Sequence, residues 1–425
     1  MNEWREVQLG ELVRCQSGFA FKSRDWSTSG VPVVKIRDVR SGVVRLDGVS
    51  FVASDAAAAA QRFLLRRGDV LITMSGEIGS VGVYRHDRSA LLNQRVGRFE
   101  LLNSSAADLN FLTFALQDPA QKHYFESVAY GVAQPNISPS LIGRARVRIP
   151  SLATQRRIAA VLSAFDELIE LNERRIELLE GLVQSLYREW FVRFRFPGHE
   201  DVELVDSELG PIPEGWVVRP LVDLARSLAD GDWIETKDQG GNDYRLLQVS
   251  NIGRGSFRET GKFRYISNET FVKLRCTAIE EGDLLISRMP DPIGRAWLVD
   301  QLVRPAVTAV DVAILRPLSS AAGAYLNVWL NSHATLARAE AAATGTTRKR
   351  ISRSVLAQLK VQVPSTASLL AYEAATTPLR IHSTALRSIG TRLAATRDLL
   401  LPRLVTGRLD IADIDLGVLT PREVE

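Results

Sequence analysis

IAAVLSAFDELIELNERRIELLEGLVQSLYREW, residues Ile158–Trp190, decides the architecture. Taking third and fourth residues in turn gives Ile158, Leu162, Phe165, Ile169, Asn172, Ile176, Leu179, Val183, Leu186 and Trp190. This seam is apolar at every step except Asn172, and the residues between are rich in Glu and Arg. A 3.5-residue period is that of a helix whose stripe faces a partner helix. At 1.5 Å per residue the seam is roughly 48 Å long, beyond most helices that lie on a globular core. One polar seam position fixes register at some cost in stability. The stretch therefore predicts a coiled-coil helix, with Leu162, Phe165, Ile169, Ile176, Leu179 and Leu186 as contact residues.

A partner helix is expected near the C-terminus. Thr377-Pro378 reads as its N-cap and first helical residue. Leu379, His382, Leu386, Ile389, Leu393, Thr396 and Leu400 repeat the spacing, with Leu386, Ile389 and Leu393 as contacts. Two such seams in one chain cover each other most simply as an antiparallel pair.

What lies between the seams is a repeat. Gly68-Asp69-Val70-Leu71-Ile72 recurs 214 residues later as Gly282-Asp283-Leu284-Leu285-Ile286. At the same offset Gly131 with Ile137-Ser138 matches Gly345 with Ile351-Ser352, and Val147–Pro150 matches Val361–Pro364. Val34–Val39 runs beside Leu247–Ile252 at offset 213, and Trp4 and Leu12 stand 212 before Trp216 and Leu224. A nearly constant offset marks a duplication. Each copy reads as mixed α/β, with short β-rich runs between Gly- and Asp-containing turns. Ser54 and Asp108 read as N-caps, and Gly323–Leu330 as the second copy of the helix that follows Asp108.

The expected class is α+β: two homologous mixed α/β domains joined by a long antiparallel two-helix coiled coil, with a pseudo-two-fold internal repeat. The expected boundaries are a first domain at 1–151, the central helix at 152–196 and a Pro- and Gly-containing linker at 197–212. A second domain at 213–364 and a C-terminal helix with its tail at 365–425 complete the chain.

The 425 residues suit two or three domains, and 45% hydrophobic with 24% charged residues is a globular composition. A polar N-terminus, no apolar run of membrane-spanning length and two lone cysteines, Cys15 and Cys276, suit a cytoplasmic protein. The net charge is only +4, yet 45 Arg stand against 8 Lys. Arg offers phosphate and the guanine edge a planar fork. The common catalytic and metal-binding motifs are absent, and five scattered histidines supply no metal spacing. Neither an enzyme nor a metal site is expected. Asp69 and Asp283 recur because a Gly-Asp turn enters a buried strand.

Equivalent loops carry different chemistry. Arg348-Lys349-Arg350 stands where the first copy has Gln134-Pro135-Asn136. Arg and Lys pair with guanine, whereas Gln and Asn pair with adenine. Lys35 against Gln248 and Arg37 against Ser250 diverge in the same way, and Arg245, Asn251 and Arg254 complete the candidate DNA-binding set. Two related domains on a two-fold axis have the symmetry by which dimeric readers address two half-sites of a duplex.

The order of these segments resembles the specificity subunit of type I restriction-modification systems. The resemblance rests on Leu9–Leu12 with Gly18–Phe21, Gly68–Ile72, Gly131 through Ile137-Ser138, Pro211–Trp216, and Leu401–Leu404 with Gly407. It implies two target-recognition domains, each reading one half of a bipartite, non-palindromic DNA site, on helices that set the gap. It also implies two methyltransferase subunits docked on the helices, with restriction subunits beyond them. S-adenosylmethionine and ATP/Mg would be held by those partners and none by this chain. Met289-Pro290-Asp291-Pro292 departs from the pattern by interrupting the segment that matches Ser75–Ser80. The alternative is a coiled-coil adaptor that reads no DNA.

Overall fold

Pro150 and Pro364 each stop a strand, and a serine follows each of them. Ser151 Oγ accepts from the Thr154 N–H at 3.3 Å, and Ser365 Oγ accepts from the Ser368 N–H at 3.2 Å. Both long helices thus leave their domains through the same kind of cap. The computed structural model describes residues 4–131, 135–346 and 348–411. In it the central helix runs Leu152–Tyr187 and passes into a π-helical turn, Arg188–Val192. The C-terminal helix runs Thr366–Val405.

That start corrects the one expected at Thr377-Pro378. The Ser365 cap comes first, and Leu369, Tyr372 and Thr376 are buried before Pro378 is reached. Packing of this first stretch outweighs the single backbone hydrogen bond that an interior proline removes.

The seam of the C-terminal helix is also displaced. Its buried or half-buried residues are Leu369, Tyr372, Thr376, Leu379, Ser383, Leu386, Gly390, Leu393, Arg397, Leu401 and Leu404, again in steps of three and four. Ile389, expected as a contact, is 39% exposed, and His382 and Thr396 are exposed as well. The true seam carries Ser383, Gly390 and Arg397, so reading apolar residues alone drifts onto Ile389. On the central helix Leu162 and Ile176 are buried, and Phe165, Ile169, Leu179 and Leu186 are half-buried. Asn172 is buried too.

The chain falls into two units, one of residues up to Asn172 with those from Ile389 onward, the other of Glu173–Ser388. Both long helices cross this division unbroken. In the first unit Ile158, Ala159, Val161 and Leu162 share a core with Leu401, Leu404 and Val405. In the second, the Trp190 and Tyr372 rings lie 5.9 Å apart and Glu180 pairs with Arg387. Rising numbers on one helix meet falling numbers on the other, so the two segments are antiparallel.

The first unit holds a six-stranded sheet in the order Val13–Ser17, Val96–Leu101, Val70–Thr73, Val81–Val83, Gly42–Val44, Val39–Arg40. The second unit repeats its first four strands as Ala225–Asp230, Val312–Pro317, Leu284–Ser287 and Ala296–Leu298. Val70–Thr73 and Leu284–Ser287 are buried at every residue, as uninterrupted runs packed on two faces should be. A second sheet in each unit pairs two strands in parallel: Val31–Val34 with Ala90–Leu92, and Tyr244–Leu247 with Ala306–Thr308. Arg5–Gln8 with Arg146–Ile149, and Val217–Pro220 with Lys360–Val363, form matching antiparallel ribbons.

Local details differ from expectation at three places. Ala53 rather than Ser54 is the N-cap of Ser54–Ala59, and the counterpart of Leu109–Leu116 extends over Ser320–Asn331. The stretch 197–212, expected as a linker, is folded. Leu204–Val205 pairs with Ile212–Pro213, and Phe196, Ile212 and Trp216 are buried in the core of the second unit. Its turn-rich composition reflects a tight hairpin.

Asp69 and Asp283 serve as turn caps, accepting from the Arg66 N–H at 2.8 Å and the Glu280 N–H at 2.9 Å. Gly18 and Gly231 occupy equivalent crossings where backbone meets backbone. A Cβ at either would lie 2.3 Å from the carbonyl oxygen of Leu92 or Ala309. Gly231→Ala is therefore expected to lower stability by ~1–3 kcal/mol, read from the chemical-denaturation midpoint; an unchanged midpoint would contradict the close approach.

Candidate nucleic-acid interface

In each unit, loops gather at one end of the sheets. In the first, Val31–Val34 and Val70–Thr73 finish there and Val96–Leu101 begins. Backbone hydrogen bonds tie the loops together: Asn93 N–H to the Val34 carbonyl at 3.1 Å, Met74 N–H to Arg95 at 3.0 Å, and Ile137 N–H to Met74 at 2.9 Å. Tyr130 and Asn136 exchange two backbone bonds, at 2.9 and 2.8 Å. The second unit repeats the set. Ala309 N–H donates to Leu247 at 3.1 Å, Arg288 N–H to Asp311 at 2.9 Å, and Ile351 N–H to Arg288 at 3.0 Å, while Thr344 and Arg350 exchange bonds at 3.0 and 2.9 Å. One backbone frame is built twice.

The side chains on that frame differ. In the first unit Asn136 Oδ1 accepts from Arg95 Nη1 at 2.8 Å. Lys35 Nζ sits 3.5 Å from the centre of the Trp26 ring, and burial, then the nearby Arg37, lowers its pKa. Arg37 Nη2 donates to the Gly48 carbonyl at 2.7 Å with the rest of its side chain largely exposed. Gln134 lies outside the described residues.

In the second unit Gln248 caps the 3-10 turn Val249–Asn251. Arg254 is exposed and Arg348 is exposed near Asp311. Burial raises the Asp311 carboxyl and Arg348 opposes that rise. Lys349 Nζ reaches Glu340 at 3.0 Å, and Arg350 Nε lies 3.2 Å from Asp311 Oδ1.

Two expected readers are already occupied. Asn251 is buried, its Oδ1 accepting from Gln248 N–H at 2.9 Å and its Nδ2 donating to the Arg258 carbonyl at 3.1 Å. It holds the place of Asp38, which caps the equivalent turn through the Lys35 N–H at 2.8 Å. Arg245 lies away from the loop end, its Nη2 donating to both Glu259 oxygens at 2.9 and 2.8 Å, with Phe257 and Phe263 against its guanidinium. With both amide atoms spent on its own fold, Asn251 is poorly placed to read a base edge, and Arg245 is tied to Glu259.

Sequence reading missed the residues that hold these loops. Arg295 is buried and donates to four carbonyls: Ile252 at 2.7 Å, Val249 and Pro292 at 2.9 Å, and Met289 at 3.0 Å. Its guanidinium pins both ends of Met289–Pro292 to the turn beside Gln248. Burial, then the neighbouring Arg258, lowers its pKa. Arg288, buried against Asp230, replaces the first unit's Met74, whose sulfur lies 3.9 Å from Ser17 Oγ. The repeat offset could have flagged Arg288, because it sets an arginine opposite a methionine.

Residues 1–181 match the family model of the type I restriction modification DNA specificity domain. The chain is 30% identical over 184 residues to the MjaVIII specificity subunit of Methanocaldococcus jannaschii, covering 42% of this chain and 43% of that one. Over these residues the chain is similar to type I restriction enzyme specificity subunits. With the EcoBI specificity subunit of Escherichia coli the identity is 21% over 345 residues, 78% of this chain and 69% of the other. The matched segments span 43%, 36% and 52% of three M. jannaschii subunits, about half or less of their length. The crystal structure of a type I restriction-modification S subunit from M. genitalium superposes with a TM-score of 0.60 at 16% identity, covering 95% of this chain and 96% of that one. At that identity the likeness is one of fold.

Among the described residues no His, Cys, Asp and Glu cluster suits a metal ion, and no helix is long and apolar enough to cross a membrane. Arg295 generates a test of the loop assembly. Arg295→Met, which keeps the stem and removes every donor, should cost on the order of 3 kcal/mol by stranding several carbonyls. Arg295→Lys should recover little, since one ammonium cannot span the fork. Denaturation midpoints measure both, and a stable Arg295→Met variant would contradict the pinning.

Proposed function

We propose that this chain is the DNA-specificity subunit of a type I restriction-modification complex and is itself non-catalytic. Each unit reads one half of a bipartite, non-palindromic site, and the two long helices set the gap. The observation that carries this reading is the pair of loop ends: one hydrogen-bonded backbone frame, bearing Lys35, Arg37 and Asn136 in one copy and Gln248, Arg254, Arg348, Lys349 and Arg350 in the other. Shared geometry with different donors and acceptors is what a reader of two unlike half-sites needs.

The helices also support docking. Beside the covered seam the central helix carries a second apolar row, with Leu168 41%, Leu171 43%, Leu178 70% and Leu182 54% exposed. We assign this row to two methyltransferase subunits, through which the restriction subunits join. S-adenosylmethionine and ATP/Mg belong to those partners, and the assembly works in the cytoplasm.

Methylation mapping in cells carrying this chain and its methyltransferase tests the reading, with one split, asymmetric motif expected. A contiguous or perfectly palindromic motif would overturn it. In the same assay Arg348→Ala should relax one position of the second half-site, for a loss of ~1–3 kcal/mol in discrimination, and leave the first half-site intact. Equal weakening on specific and random DNA would reduce Arg348 to a phosphate contact.

A further inference from the structure

Arg85 follows the strand Val81–Val83, and Asp300 follows Ala296–Leu298. Tyr84 N–H donates to the Asp69 carbonyl at 2.8 Å and Val299 N–H to the Asp283 carbonyl at 2.9 Å. Gly68 N–H donates to Tyr84 and Gly282 N–H to Val299, both at 2.8 Å. Arg85 and Asp300 therefore occupy the same place in the two copies. Asp166 and Arg380 also correspond, each standing equally far beyond its capping serine, Ser151 or Ser365.

In the first unit Arg85 Nη2 lies 3.0 Å from Asp166 Oδ2. Arg397 Nη1 approaches the other Asp166 oxygen at 2.7 Å, and Arg85 Nη1 lies 3.3 Å from Glu170. In the second unit Arg380 Nη2 and Nε donate to Asp300 Oδ1 at 3.2 and 3.3 Å. The link between domain and helix is kept while both of its charges are reversed. Side-chain exposure is 18% and 8% in the first pair, 15% and 20% in the second. A charge so far removed from water is strongly disfavoured without its partner. A contact that survives reversal of both charges is held by what the two groups do to each other, since each group's chemistry was exchanged.

Position gives the pair its role. Each domain joins its helix covalently at Pro150 or Pro364, and the ion pair adds a second attachment about four helical turns beyond the cap. It lies past the apolar contacts of Ile158 and Leu162 in one unit, and of Leu369 and Tyr372 in the other. Beyond the covalent join and the apolar contacts, the pair is a further restraint, farther out, on the angle of each domain on its helix.

We propose that the Arg85–Asp166 and Asp300–Arg380 pairs clamp each recognition domain at a set angle on its helix, and so determine how strictly the complex discriminates the gap between half-sites. The proposal rests on the reading of the chain as a specificity subunit. It separates two properties: helix length chooses the gap, and the clamps choose the tolerance around it.

The second pair gives the cleaner test, because Asp166 also serves Arg397. The chain, assembled with its methyltransferase, is offered duplexes carrying both half-sites with the gap varied one base pair at a time. Asp300→Arg and Arg380→Asp should each raise methylation at gaps one base pair off, relative to the native gap, by at least tenfold. Half-site sequences should stay the same. The double variant Asp300→Arg/Arg380→Asp should return the wild-type ratio. Asp300→Asn, which keeps the shape, serves in place of a single reversal that fails to fold and should broaden the gap in the same direction. Folded single variants with an unchanged ratio overturn the clamp, as does a double variant that stays broad. A wild-type complex that modifies no split site overturns the specificity-subunit reading and this inference with it; one that does so while its variants keep the native ratio overturns this inference alone.

Discussion

A long helix with an apolar seam cannot stand alone in water, and the rest of this structure follows from how that seam is covered. Helical stability in proteins comes chiefly from tertiary packing of an apolar face. Here the cover comes from the same chain, after a second domain has intervened. In the first unit Leu401, Leu404 and Val405 close over Ile158 and Leu162, and in the second Tyr372 packs in one core with Tyr187 and Phe191. The two long helices thus depend on each other. Removing the C-terminal helix would uncover the central one in both units.

Duplication with divergence explains the remainder. The backbone frame is kept at the level of individual hydrogen bonds, from the Gly-Asp turns to the loop ends. Side-chain pairs are exchanged as pairs: Ser17 with Met74 becomes Asp230 with Arg288, and Arg85 with Asp166 becomes Asp300 with Arg380. A core or hinge contact can change its chemistry when both members change, because a half-exchanged pair strands a buried charge.

Much of this was legible in the sequence. The central seam read correctly because nine of its ten positions are apolar residues at regular spacing, and the repeat read correctly because its Gly-Asp and Ile-Ser punctuation kept its offset. The C-terminal seam slid onto Ile389 because Ser383, Gly390 and Arg397 hold seam positions without hydrophobicity to announce them. Its start reads late in the sequence because proline is favoured at the first turn of a helix. The candidate site was legible as a place and less so as a set of residues. Composition cannot show that Asn251 spends its amide on a turn, that Arg245 is tied to Glu259, or that Arg295 ties the turn at 249–252 to Met289–Pro292.

Under the proposed function, the paired helices set the distance between the two readers. Inserting one heptad after Leu179 and a matching heptad after Leu386 keeps the apolar stripes in phase. It adds ~10.5 Å of helix, close to three base pairs at ~3.4 Å each. Methylation mapping of this variant, assembled with its partner, should return the two original half-sites at a longer gap. The original gap, or altered half-sites, would contradict the claim.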